Sequence, residues 1–297
     1  MLGTLPLILK LLVQVIDPIT LSSVRFLGAG ALLGLLARSE VVEDLRTTAS
    51  GERLTYLVLT ASGLTCNYVF FVWGLEYLSP SSVHIVLQVA PFLVLAGGIV
   101  FFREPYSIRL VVGAGLLAIG SFLFFNQRTN DMTFGSHFTI GIGIAFVSAC
   151  GWAVFFLMQK MLHGVMRSRS ITFYTCVAGG LALLPFTSPS LLLNLNARLL
   201  TFLILSTLGT AIAYTSISSA TRRVSATTMG FALALIPLVT VVDMALISEL
   251  IDGLEPENLN GVAVLGATLV VTGLVIGTRK RDNQENVRDG YTSKFGP

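Results

Sequence analysis

The sequence predicts an all-α integral membrane protein, with ten transmembrane helices arranged as two inverted five-helix repeats around a central cavity. Three observations predict this: the composition, a series of apolar segments of spanning length, and an internal repeat. The chain has 297 residues, 54% hydrophobic and 12% charged, where a soluble globular chain carries about 25% charge. Its mean hydropathy is +0.80. So few charges cannot cover a water-exposed surface of this size, which excludes a soluble enzyme domain. The high apolar content also excludes disorder. Lipid is the solvent that remains. A spanning helix needs about 20 apolar residues, so ten of them use most of the chain and leave only short loops.

Hydropathy places the apolar segments at 1–16, 18–37, 54–77, 80–102, 107–125, 139–162, 170–187, 198–219, 225–248 and 258–277. The first is short and contains Lys10. The polar residues 278–297 read as a cytoplasmic tail. The apolar start at Met1, with no basic segment and no small-residue cleavage site, does not read as a signal peptide. With the N-terminus inside, the inner loops and tail hold 15 of the 19 Lys and Arg residues. The outer loops hold Arg128 and Arg198, while Lys10 and Arg25 fall within helices. This positive-inside bias supports the helix count and cytoplasmic N- and C-termini.

A shift of 146 residues lays Leu54-Thr-Tyr-Leu-Val-Leu-Thr60 over Leu200-Thr-Phe-Leu-Ile-Leu-Ser206. Gly63 falls on Gly209, Tyr68 on Tyr214, Ser79 on Ser225 and Pro91 on Pro237. A longer loop before the last helix changes the offset, and Gly113 and Gly120 then fall on Gly266 and Gly273. The repeats are 1–126 and 138–277. Each has five helices, an odd number, so the second enters the membrane from the opposite side. Inverted repeats of this kind are characteristic of secondary transporters.

Local patterns carry a family resemblance. They are Asp17-Pro-Ile-Thr-Leu-Ser-Ser-Val-Arg-Phe26 entering the second helix, Trp73-Gly-Leu-Glu-Tyr-Leu-Ser79 between the third and fourth, and Pro91 with Arg103-Glu-Pro105 closing the fourth. With the ten-helix repeat, the chain resembles the EamA type of the drug/metabolite transporter superfamily over nearly its whole length. The resemblance implies a central cavity lined by helices 1, 3, 4, 6, 8 and 9. It also implies a bacterial inner-membrane exporter of amino acids, other small metabolites or drugs. One departure stands out. Gly3-Thr4 comes almost at once, with Leu2 where the family has Trp, which leaves the first helix short.

Ionisable groups at membrane depth are costly and are functional candidates by default. Lys10, Arg25 and Asp243 all fall in the outer half. Two readings stay open for them. In one, Arg25 or Lys10 binds a substrate carboxylate and Asp243 serves an amine or carries a proton. In the other, Arg25 and Asp243 form a structural ion pair and Lys10 snorkels to the interface. His84, Gln88 and Pro91 share one face of helix 4. Pro91 and Pro237 are hinge candidates, since each removes a mid-helix donor. Asn67, Tyr68 and Phe71 on helix 3, Trp152 and Gln159 on helix 6, Tyr214 on helix 8 and Thr228 on helix 9 complete the pathway candidates. Aromatic walls suit apolar or cationic solutes. Gly28, Gly30, Gly34, Gly141 and Gly143 read as packing positions.

Catalytic constellations and phosphate-binding loops are missing from the sequence, so direct ATP drive and a resident cofactor or metal are not expected. Cys66, Cys150 and Cys176 read as buried small hydrophobes. The expected partners are a small-molecule substrate and the bilayer, not nucleic acid, and one chain suffices for the cavity. The alternatives are efflux of drugs or cationic compounds and, in a different class, a lipid-modifying membrane enzyme.

Overall fold

A computed structural model describes residues 5–48, 51–103, 108–124, 126, 136–225, 228–229, 232, 236, 239, 242–243, 246 and 260–278, with the side chains of 45–48, 81, 85, 194, 274 and 278 excepted. Among these residues the regular structure is helical. The α-helices are α1 (Leu5–Leu12), α2 (Pro18–Leu36), α3 (Arg38–Thr48), α4 (Glu52–Tyr77), α5 (Pro80–Val86), α6 (Val89–Phe102) and α7 (Ile108–Phe124). They continue with α8 (His137–Leu162), α9 (Ser168–Leu183), α10 (Ala197–Thr221) and α11 (Gly261–Thr278). The described residues between 228 and 246 are helical as well. Pro18–Leu36, Glu52–Tyr77, Ser82–Phe102, His137–Leu162 and Ala197–Thr221 are each long and apolar enough to cross a membrane, and Ile108–Phe124 and Gly261–Gly277 are shorter apolar helices.

Local chemistry starts these helices where the sequence places them. The Asp17 carboxylate accepts from the amides of Ile19 and Thr20 at 3.0 and 2.9 Å, with Pro18 at the first helical position. A carboxylate cap followed by proline is a strong helix start. Ser136 caps α8 through the Thr139 amide, and Asn196 caps α10 through the Leu199 amide. Two further caps are repeat partners: Ser79 receives the Ser82 amide at 3.3 Å, and Ser225 receives the Thr228 amide at 3.0 Å.

The structure departs from the sequence expectation in three places. First, residues 38–48, expected as loop, form α3, which is too polar for a hydropathy scan to register. It is fastened to the start of α9. Asp44 accepts the Arg167 amide at 2.9 Å, Arg167 pairs with Glu43 at 2.6 Å and Arg169 with Glu40 at 3.2 Å, and the Tyr174 hydroxyl donates to the Val41 carbonyl at 2.7 Å. Second, the fourth span is two helices, interrupted at Leu87 and Gln88. Pro91 has no amide proton for the Leu87 carbonyl, and its ring crowds that carbonyl. The Ala90 amide takes the carbonyl instead, at 2.9 Å. Third, α9 stops at Leu183 and gives way to 3₁₀ turns at Leu184–Phe186 and Pro189–Asn194.

Small residues set the tightest helix contacts, and these contacts come in pairs related by the repeat. A Cβ on Gly113 would lie 2.6 Å from the Gly273 carbonyl oxygen, and one on Gly120 would lie 2.7 Å from that of Gly266. The shift that carries Gly113 to Gly266 carries Gly120 to Gly273, so it exchanges the two contacts. Likewise Gly30 abuts Val177 and Gly180 abuts Leu27, both at 2.7 Å, where α2 meets α9. Gly63 abuts Gly151 between α4 and α8, and its repeat partner Gly209 abuts Leu5 between α10 and α1. Backbone approach of this kind is how helices associate in lipid, where there is no hydrophobic drive between them. Gly143, by contrast, would meet nothing within 4 Å.

The turn after α8 holds a titratable group. Neither ring nitrogen of His163 has a hydrogen-bond partner. Burial first, then Arg222 and Lys160, push its pKa from 6.5 down to about 4. Between those values the unfolded chain binds the extra proton, so stability falls as pH drops from about 6.5 to about 4. The loss is about 3 kcal/mol at full extent. The melting temperature of purified protein is expected to fall across that window, and His163→Gln to flatten the slope. An unchanged slope in the variant would show that other groups govern it.

Candidate functional site

The helices line a cavity of about 70 Å³. Leu5, Pro6 and Leu9 of α1 form one wall and Asn67, Tyr68 and Phe71 of α4 the next. His84 of α5 and Pro91 of α6 flank the interruption, where Leu87 and Gln88 turn inward. Trp152 of α8, Ala213 and Tyr214 of α10, and Ile236 of the ninth span close it. These are spans 1, 3, 4, 6, 8 and 9, the set that the resemblance implied.

Tyr68, Phe71, His84, Trp152 and Tyr214 bring rings to the wall. Tyr68 and Tyr214, matched by the repeat, face each other with centroids 5.7 Å apart. Trp152 meets Tyr214 edge-on at 5.8 Å and is backed by Phe155 and Phe156 at 5.6 and 5.2 Å. Phe71 lies 5.3 Å from the His84 ring, whose Nε2 has no hydrogen-bond partner. Asn67 is committed to packing as well as to the wall. Its amide nitrogen donates to the Ser148 hydroxyl at 2.9 Å, and that hydroxyl donates back to the Asn67 carbonyl at 2.9 Å. This reciprocal clasp locks α4 to α8 one turn from the Gly63–Gly151 contact.

The candidate charges lie off the cavity surface. Lys10 turns away, and its ammonium donates to the carbonyls of Leu75 and, at 3.1 Å, Leu78. These are the free carbonyls at the end of α4, where a cation is favoured by the helix dipole. Arg25 is fully buried behind Tyr68, with its guanidinium carbon 4.7 Å from the ring centroid. One Arg25 amino nitrogen, Nη2, donates to the Thr210 hydroxyl at 2.8 Å and the Ser206 carbonyl at 3.2 Å. Its Nε and Nη1 have no hydrogen-bond partner.

Among the described residues no ion pair joins Arg25 to Asp243, so the structural-pair reading is corrected. Asp243 is half-buried on the ninth span. Gln159 is buried against α10, donating to Thr221 at 3.5 Å. Thr228 is bound to Ser225 as part of a helix cap and does not line the cavity. Pro237 lies outside the described residues.

The cavity thus gathers Asn67, Tyr68, Phe71, His84, Gln88, Pro91, Trp152 and Tyr214. Sequence reasoning missed Ser206 and Thr210, which hold Arg25. The signal was present: Ser206, Thr210 and Tyr214 stand at i, i+4 and i+8 on one face of α10. Leu5, Leu9 and Ile236 gave no signal, because an aliphatic wall residue reads like any lipid-facing one. Among the described residues no cluster of His, Cys, Asp or Glu is arranged to hold a metal ion.

Comparison with known proteins agrees with this architecture. The profile of the EamA-like transporter family matches residues 1–126 and 139–279. The uncharacterized inner membrane transporter YhbE of Escherichia coli (strain K12) is 30% identical over 280 residues, covering 91% of this chain and 85% of that protein. An uncharacterized transporter of Haemophilus influenzae is 27% identical over 277 residues, covering 92% and 90%. One solved structure superposes with a TM-score of 0.65 at 17% identity, over 93% of this chain and 95% of the other, a likeness of fold.

Proposed function

Because the chain belongs to the EamA-like transporter family, and is thus a membrane transporter rather than an enzyme, we propose that it exports small metabolites, amino acids foremost, as a secondary carrier working by alternating access in an inner membrane. The observation that carries this reading is the cavity itself. It sits between spans drawn from both repeats, and its facing rings, Tyr68 and Tyr214, are repeat partners. Two similar halves related by an axis in the membrane plane can exchange inward-open and outward-open shapes at nearly equal energy. The interruption beside Pro91 gives the fourth span a place to bend. The positive-inside bias supports cytoplasmic termini. With no nucleotide-binding loop, the energy comes from a gradient of substrate or ion. One chain supplies the whole cavity, so a monomer suffices.

A cavity rich in rings and poor in charge binds the apolar part of a solute by stacking and excluded water. Counterflow in proteoliposomes tests the proposal: vesicles are loaded with unlabelled amino acids one at a time, and labelled uptake is followed. Saturable exchange of a few amino acids is the expected result. Exchange limited to cationic drugs would replace the substrate class, and leakage without exchange would remove the carrier mechanism.

A further inference from the structure

Arg25 buries a positive charge inside the bundle. Among the described residues no carboxylate bonds to it, and none of the residues lining the cavity is acidic. Burying a cation without a counter-charge is costly, and dipoles alone repay it poorly. Tyr68 both lines the cavity and stacks on this charge, its ring centroid 4.7 Å from the guanidinium carbon. We propose that Arg25, acting through Tyr68, sets the charge preference of the cavity, so that it accepts solutes bearing a carboxylate or similar anionic group and rejects cations. This rests on the carrier reading above and deepens it.

The hydrogen bonds show how the charge reaches the cavity. The Thr210 hydroxyl has one proton, and it donates that proton to the Ser206 carbonyl at 2.8 Å. It therefore accepts from both Arg25 and the Tyr68 hydroxyl, 2.9 Å away. The Ser206 carbonyl also receives Arg25, so it stays satisfied if Thr210 turns its proton to Tyr68. That turn frees the Tyr68 proton for an acceptor in the cavity. Arg25, Thr210 and Tyr68 then donate in sequence toward the ligand, and every dipole in the chain points its positive end at an anion. A cation in the same position faces those ends with no carboxylate to hold it. In a medium this poor in water such a field is screened less than in bulk solvent. Arg25 is a positioning residue here, since Tyr68 is the group that touches substrate.

Three probes with one apolar body separate the charges: leucine, 4-methylpentanoate (leucine without its amine) and 3-methylbutylamine (leucine without its carboxylate). Trp152 lines the cavity and is one of two tryptophans. Its fluorescence in full-length Trp73→Phe protein in nanodiscs therefore reads occupancy. The two carboxylate probes are expected to bind at least tenfold more tightly than the amine, the preference that about 1.4 kcal/mol gives. Arg25→Gln should cut that ratio to near one. Tyr68→Phe, which keeps the ring and loses the donor, should reduce it part of the way. A structural role alone would weaken all three probes together and leave the ratio unchanged.

Amine binding as tight as carboxylate binding overturns the inference. So does a ratio unaltered in both variants, or no binding of either carboxylate probe. Should Arg25→Gln fail to fold, the wild-type ratio and Tyr68→Phe decide. Counterflow of the same probes separates this inference from its premise. Exchange with an amine preference removes the charge assignment and keeps the carrier. Carboxylate binding without exchange does the reverse.

Discussion

Replacing Gly151 with valine is expected to abolish folded protein, read as loss of the monodisperse peak in fluorescence-detected size exclusion. A Cβ at this position would lie 2.7 Å from the Asn67 backbone nitrogen and 2.8 Å from the Gly63 carbonyl oxygen. Both are backbone atoms of α4, so no rotamer change relieves the clash, and the helices must separate. Overpacking in a tight core costs about 1–3 kcal/mol where side chains can yield, and more where they cannot. Separation also breaks the reciprocal Asn67–Ser148 clasp. Two companions grade the effect. Gly209→Val meets the flexible Leu5 side chain at 2.9 Å and should be milder. Gly143→Val meets nothing within 4 Å and should be silent. Equal behaviour of all three would mean that close helix approach does not hold this bundle together.

Replacing Trp152 with alanine is expected to remove exchange and to lower stability by about 3–5 kcal/mol, the usual cost of emptying a buried aromatic site. Trp152 is 7% exposed and touches Phe155, Phe156 and Tyr214, so it braces the wall as well as facing the cavity. Trp152→Leu separates the two roles. It keeps much of the volume, so the melting temperature should fall less. It loses the flat ring, so exchange should still fall by an order of magnitude or more, as about 1.4 kcal/mol per decade requires. Leucine restoring both exchange and stability would assign Trp152 to packing alone.

The membrane-spanning pattern was legible because it depends on hydropathy and on glycine and proline positions, which act locally. The cavity wall was legible for the same reason: Asn67, Gln88 and His84 are polar at apolar depth and had to turn inward, and Tyr68 and Tyr214 were marked by the repeat. The destinations of the charges were not. Lys10 and Arg25 have long side chains, and a position along a helix does not say where such a chain ends. Lys10 ends at the carbonyls closing α4, and Arg25 ends behind a tyrosine. Helix α3 was missed because its apolar positions are too few for a span, and what fastens it to α9 is polar. The interruption at Leu87 was missed because hydropathy runs unbroken through it, even though Pro91 gave the cause.

The most direct test of the account asks whether the cavity opens to one side at a time. In a variant lacking Cys66, Cys150 and Cys176, Gln88→Cys places a single thiol on the cavity wall. Oriented proteoliposomes are treated with a membrane-impermeant thiol reagent from one side or the other, with and without a transported solute. Alternating access predicts labelling from each side, a shift in the ratio of the two rates when a gradient is imposed, and protection by solute from both. Equal labelling from both sides, indifferent to gradient and solute, would contradict it and describe an open pore instead.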